Sequence, residues 1–227
     1  MAVFEKKNYT LIANYHNYML EYRIRKGTNN HEQSPVIFLI HGYGSNADDL
    51  FSFAPYLPKT HTIIAIEAPL ILAPGSYAWY QIYPKNDGSL DSELKEADKA
   101  LDLLNDNIFS LMKEKNLNLN DISVLGFSQG AILSWALAYS KPNKLRRIIA
   151  LSGLIHKSID ISKPPKFIAY AAHGINDMII PVELARNSVY PLSQKYNEIV
   201  YHEFNDGHTV SQENFTKMLT WLEKTNL

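Results

Sequence analysis

The stretch VLGFSQGA, residues 124–131, decides how the chain is read. A short apolar run, ISVLG (122–126), leads into it, and a segment that is apolar nearly all round (128–139) leads out. A strand therefore passes into a helix through Gly126, Phe127, Ser128, Gln129 and Gly130. A serine between two glycines at such a junction has two readings. It can cap the helix, as serine often does, or it can be a nucleophile held out on a sharp turn. The bare pattern does not choose, since with Gly and Ser each near 7% about one chain in a dozen of this length would contain it by chance. The sharp turn, however, needs small residues two places either side of the serine, where side chains would collide. It also strains the serine backbone by about 1–3 kcal/mol, and the helix N-terminus favours negative charge developing there.

Working outward, apolar runs of strand length alternate with helix-length segments. VIFLI (36–40), TIIAI (62–66), ISVLG, RIIALS (147–152), KFIAYAA (166–172) and EIVYHEF (198–204) read as six strands. Most are β-branched and apolar without alternation, the mark of strands buried on both faces of a parallel sheet. YTLIANY and YMLEYRI, nearer the start, read as an antiparallel pair. Helices are expected over 92–115, 128–139, 182–196 and 210–223; the first repeats Leu94, Ala97, Leu101, Leu104, Ile108 and Leu111 at three- and four-residue steps. Alternating strand and helix implies right-handed crossovers and an α/β fold with a mostly parallel sheet. With no linker or repeat in sight, residues 1–227 are expected to form a single domain. Residues 68–88, APLILAPGSYAWYQIYPKNDG, break the rhythm, showing neither period. A long loop after a strand belongs at the carboxyl edge, where open α/β sheets bind ligands. Ile71, Leu72, Trp79 and Tyr80 are its candidates for an apolar substrate lining.

Composition narrows the function. A net charge of −1 offers no general attraction for nucleic acid, which is not expected as a partner. The absence of cysteine removes disulfides, thiolate metal sites and a cysteine nucleophile. No His-Glu-x-x-His occurs, so neither metal nor cofactor is expected. The N-terminal stretch lacks the apolar core of a secretion signal and no run approaches a membrane span, so a cytoplasmic protein without stable membrane insertion is expected. Monomer and homodimer are equally compatible with the sequence.

A serine hydroxyl needs a base, and the base needs something to orient it. On such a sheet the base belongs on a loop after the last strand, where His208 follows Gly207. The acid belongs after the preceding strand, where Asp177 stands 49 residues after Ser128 and 31 before His208. Asp206, two residues from His208, is poorly placed to reach the distal ring nitrogen, and Asp160 lies on a different loop. Serine, acid, histidine is the chain order of α/β-hydrolases. The oxyanion of acyl transfer needs backbone N–H donors. Gln129, next after the serine, supplies one through its main chain more than its side chain, and Tyr43, in the glycine-rich turn HGYGSNADDL (41–50), supplies the other. Gly42 allows close approach of that turn. His41 is read as a brace for the loop, and Asp48 and Asp49 as caps of the helix that follows.

Together HGYGSNADDL, GFSQGA, ALSG (150–153), HGINDMIIP (173–181) and GHTVSQE (207–213) resemble the phospholipase/carboxylesterase family, small α/β-hydrolases that include carboxylesterases and acyl-protein thioesterases. The resemblance covers roughly residues 35–225 and includes AWY (78–80). It implies an α/β-hydrolase fold without a large cap domain, Ser128, Asp177 and His208 as catalytic triad, and Tyr43 and Gln129 as oxyanion donors. This chain carries Ile175 where the family usually has a second acid, and Gln81 in place of another. The expected activity is hydrolysis of short- to medium-chain carboxylic esters, with a small-molecule ester as partner. Thioesterase or lysophospholipase activity would use the same machinery, and an idle hydrolase fold serving as a binding module is the rival from another class.

Overall fold

The computed structural model describes residues 19–28, 33–84, 90–141 and 145–225. In chain order, β1 (Tyr22–Arg25) and β2 (Val36–Ile40) precede α1 (Ala47–Phe51) and β3 (Thr62–Ile66). The segment that follows holds four short strands: β4 (Leu70–Ala73), β5 (Ser76–Ala78), β6 (Tyr83–Pro84) and β7 (Leu90–Asp91). Then come α2 (Leu94–Glu114), β8 (Ile122–Phe127), α3 (Gln129–Ser140), β9 (Leu145–Leu151) and β10 (Ile168–Gly174). The chain closes with α4 (Val182–Ser188), α5 (Tyr190–Lys195), β11 (Ile199–Phe204) and α6 (Gln212–Lys224).

Seven of these strands form one sheet in the order β1-β3-β2-β8-β9-β10-β11. All neighbours run parallel except β1, which joins the edge antiparallel to β3. The expected N-terminal pair of strands is not described in full, since YTLIANY lies outside the described residues. Every residue of β2 and β3 is buried, because helices cover both faces. On one face Phe38, Ile40, Ile64 and Val124 pack with residues of α2 and α3, such as Leu104, Leu111 and Trp135. On the other, Ile37, Leu39, Ile63 and Tyr170 pack with Leu50 of α1 and with Met218 and Leu222 of α6. Burying one side chain of this size contributes about 1.5–3 kcal/mol. An acid at Phe38 would undo the core at its centre.

Chain order along the sheet reverses between β2 and β8. From β2 the chain steps outward to β3, and from β8 it winds the other way through β9, β10 and β11. The loops leaving β2 and β8 therefore both emerge at the carboxyl edge beside this switch point, where open α/β sheets bind their ligands. Ser128 and the 41–46 turn both emerge there.

Three sequence expectations change. The helix expected over 182–196 is two helices, since Pro191 has no N–H to continue the ladder, and the break falls at Val189. Residues 68–88 are not irregular throughout: β4 and β5 form a hairpin whose turn uses Gly75 at φ +73°. Asn46, rather than Asp48 or Asp49, caps α1 by accepting the Asp49 N–H, and the two acids lie in the first turn. Among the described residues the segment between β3 and α2 holds only these short hairpins, so it forms no cap domain, and no helix is long and apolar enough to cross a membrane.

Candidate active site

The strand-to-helix junction is as sharp as its glycines suggest. β8 ends at Phe127, α3 begins at Gln129, and Ser128 between them sits at φ +53°, ψ −116°. A non-glycine residue there stores about 1–3 kcal/mol of strain. The two glycines relieve different clashes. A Cβ on Gly126 would lie 2.2 Å from the Gly130 carbonyl oxygen, as the collision argument requires. A Cβ on Gly130 would instead lie 1.9 Å from the Ile40 carbonyl oxygen, so this glycine is set by the neighbouring strand. The Ser128 N–H is held by the Leu151 carbonyl at 2.9 Å. Its side chain makes no capping bond to α3. The hydroxyl goes elsewhere.

It meets His208, whose Nε2 lies 2.9 Å from Ser128 Oγ. On the far side of the ring, Nδ1 lies 2.7 Å from Asp177 Oδ2. A carboxylate only accepts, so Nδ1 carries the proton and Nε2 is left to take one from the hydroxyl. The Asp177 side chain is fully buried while His208 keeps some exposure. Asp177 Oδ1 accepts the Ile179 and Ile180 N–H groups, at 2.9 and 2.8 Å, which fixes the carboxylate plane. The two loops are also stitched to each other. Ile175 N–H donates to the Phe204 carbonyl and Asn176 N–H to that of Asp206. Gly174 makes this approach possible, since a Cβ there would lie 2.2 Å from the Gly207 oxygen. Asp206 thus contributes its backbone, and the loops that carry Asp177 and His208 are tied together. Phe127 packs a tilted ring against His208, centroids 5.0 Å apart.

The turn after β2 comes against Ser128 from the other side. A Cβ on Gly42 would lie 3.1 Å from Ser128 Cβ, so the main chain entering Tyr43 passes directly beside the serine. Gln129 opens α3, where N–H groups have no intrahelical acceptor. His41 is buried and engaged at both ring nitrogens: Nδ1–H donates to the Gly42 carbonyl at 2.8 Å, and Nε2 accepts the Ala68 N–H at 3.0 Å. Burial pushes its pKa below the ordinary histidine value, in keeping with a neutral ring. Glu67 accepts the Ala47 N–H at 2.5 Å, so residues 67 and 68 together grip both ends of the turn.

The Gln129 side chain does more than the sequence suggested. Its Oε1 accepts the Trp79 N–H and its Nε2 donates to the Tyr80 carbonyl, both at 2.9 Å. The Trp79 indole N–H then donates to the His41 carbonyl at 2.9 Å. Trp79 and Tyr80, only 2% and 5% exposed, belong to the core beneath the loop and do not line an open groove. Backbone pairing draws them there, because the hairpin is tied to the turn by reciprocal Gly44–Tyr77 and Tyr77–Ser45 bonds. Of the four lining candidates Ile71 is exposed and Leu72 partly so, both on β4. Gln81 accepts from the Tyr43 hydroxyl at 3.0 Å, and Ile175 stands exposed near Asp177. The side-chain work of Gln129 and Glu67 had no sequence signal, since each contact joins residues 20 or more positions apart.

A mostly parallel sheet with this elbow, and a carboxylate and an imidazole in line with its serine, defines an α/β-hydrolase. The chain belongs to the phospholipase/carboxylesterase family, whose model matches residues 23–226. Acyl-protein thioesterase 1 of Kluyveromyces lactis is 26% identical over 209 residues, covering 83% of this chain and 91% of that protein. Among solved structures, the Bacillus cereus carboxylesterase superposes with a TM-score of 0.79 at 20% identity, covering 92% of this chain and 96% of that one. Esterase PE8 gives the same TM-score at 23% identity, covering 92% and 100%. At these identities the structural likeness speaks for the fold alone.

Proposed function

We propose that the protein is a serine hydrolase of carboxylic esters, with short- to medium-chain esters of small molecules as substrates. The observation that carries this reading is the unbroken line from Ser128 Oγ through His208 to Asp177, at 2.9 and 2.7 Å. In the first half-reaction Ser128 Oγ bonds to the acyl carbon as its proton passes to His208 Nε2. The C–O bond to the alcohol breaks and His208 returns the proton to that oxygen. Water then repeats the sequence against the acyl-enzyme and frees the acid. Asp177 keeps the imidazole in the required tautomer. Gln129 and Tyr43 offer their N–H groups to the tetrahedral oxyanion, supported by the helix start at Gln129 and the close approach at Gly42. His41, Gly42, Gly126 and Gly130 hold the frame, and Ile71 and Leu72 are the apolar contacts for substrate.

A second reading, thioester hydrolysis, is favoured by the name of the yeast relative and needs no change in machinery. Rates for matched oxygen esters and thioesters across acyl lengths separate the two. The test of the common reading is Ser128→Ala. It should abolish p-nitrophenyl ester hydrolysis while circular dichroism and melting temperature stay those of the folded protein; retained turnover would sink the proposal.

A further inference from the structure

His173 is buried near the end of β10, and ester hydrolysis as laid out above makes no use of it. Its Nε2 lies 2.8 Å from the Ile180 carbonyl oxygen and 3.3 Å from Asp177 Oδ2. A carbonyl oxygen only accepts, so Nε2 carries a proton. Nδ1 is buried with no hydrogen-bond partner, and a proton there would be a stranded donor. The ring is therefore a neutral Nε2–H tautomer. That single N–H faces both ends of one tight turn, the carboxylate at 177 and the carbonyl at 180. The same turn is closed from within by Asp177 Oδ1, which accepts the Ile180 N–H.

We propose that His173 is a positioning residue that sets the orientation and charge of the Asp177 carboxylate and, through it, the imidazole of His208. The role rests on the serine-hydrolase reading of the site. Its Nε2–H, donated to the Ile180 carbonyl, also lies against Oδ2 at 3.3 Å, and the positive end of that dipole draws negative charge away from the side that faces His208 Nδ1–H. Losing it leaves Asp177 freer to swing and more negative toward His208. A more negative partner stabilises the imidazolium, so the free-base form would appear only at higher pH. Two other acids stand on β11 and on the loop after it. Glu203, its register partner on β11, is held by Arg186 of α4 and Tyr201. Asp206, on the same loop as His208, has its Oδ2 buried with no hydrogen-bond partner among the described residues.

The test compares wild type, His173→Gln, which keeps an N–H near the Nε2 position, and His173→Leu, which does not. Rates are referred to active sites titrated with a fluorophosphonate, so unfolded protein does not count. For His173→Leu we expect kcat to fall about 10- to 100-fold, the scale of misplaced catalytic groups, with KM little changed. The acid limb of its kcat/KM profile should move to higher pH, and His173→Gln should recover most of the rate and the limb. Nitrogen-15 NMR of the wild type should show His173 neutral with its proton on Nε2. A proton on Nδ1, a wild-type rate and profile in His173→Leu, or equal losses in both variants would overturn the proposal. If His173→Leu does not fold, the NMR tautomer and the His173→Gln profile decide between the same outcomes. Failure of the serine-hydrolase reading would appear separately, as turnover surviving Ser128→Ala, and leaves the NMR result untouched.

Discussion

Two largely buried carboxylates stand at opposite edges of the same sheet, and both are surrounded by strong donors. Asp121, just before β8 at the amino edge, accepts from Arg146 and Arg147, each at 2.5 Å. Arg147 is wholly buried and passes on to the Thr225 carbonyl at 2.9 Å, where the line ends in an atom with no proton to give. Asp177, at the carboxyl edge, accepts two backbone N–H groups and the His208 imidazole, and that line ends in a hydroxyl. The two lines differ in their last atom: at one edge a carbonyl oxygen, at the other the hydroxyl of a strained serine.

The comparison can be broken by exchanging the two losses. Asp177→Asn should lower kcat by about 10⁴, because the amide favours the wrong imidazole tautomer, with little change in stability. Asp121→Asn should do the reverse, costing about 3–5 kcal/mol by stranding the Arg147 cation while sparing the rate per folded molecule. Denaturant melts and active-site-normalised rates read both, and a slow but stable Asp121→Asn would end the distinction.

A smaller effect sharpens the carboxyl edge. Gln129→Ala keeps the backbone N–H but releases Trp79 and Tyr80, and through Trp79 the His41 carbonyl. We expect a loss of roughly 10- to 100-fold in kcat from displacement of the turn, measured with an ester whose acyl chain is too short to reach β4. A wild-type rate would reduce the Gln129 side chain to packing.

The smallest effect belongs to the amino edge. His61 is buried before β3, and burial pushes its pKa down to about 4. A histidine whose folded value lies below its unfolded one favours the fold when neutral. That contribution is complete above the unfolded value of about 6.5 and is lost as pH falls toward the folded value. His61→Gln should flatten the pH dependence of unfolding free energy across that window and leave ester hydrolysis alone; an unchanged slope would place the acid sensitivity elsewhere.

Much of this was legible beforehand because it is written in local pattern. Strands 36–40 and 62–66 are continuous apolar runs whose ends coincide with the observed strands, since no competing period blurs them. Ser128, Asp177 and His208 stand on loops whose order along the sheet follows from strand order. Legibility stopped where contact depends on distant backbone. Trp79 and Tyr80 looked like a lining because an aromatic pair on an irregular loop has no periodicity to betray burial, and only pairing of β5 with the 44–45 turn draws them inward. Gly130 was assigned to the wrong neighbour, because the clash is with Ile40 on a strand some ninety residues earlier. His173 shows no part to play in the HGINDMIIP stretch, since its partners are visible only once the 177–180 turn closes over it.

In the proposed reaction Ser128 Oγ is the atom that takes the acyl group. Rapid quenching after exposure to a p-nitrophenyl ester, followed by peptide mass mapping, tests it directly. One acyl adduct is expected, on the peptide containing Ser128, absent from Ser128→Ala and scarcely formed by His208→Ala. An adduct on another residue, or hydrolysis with no serine adduct while a fluorophosphonate also leaves Ser128 unlabelled, would contradict it.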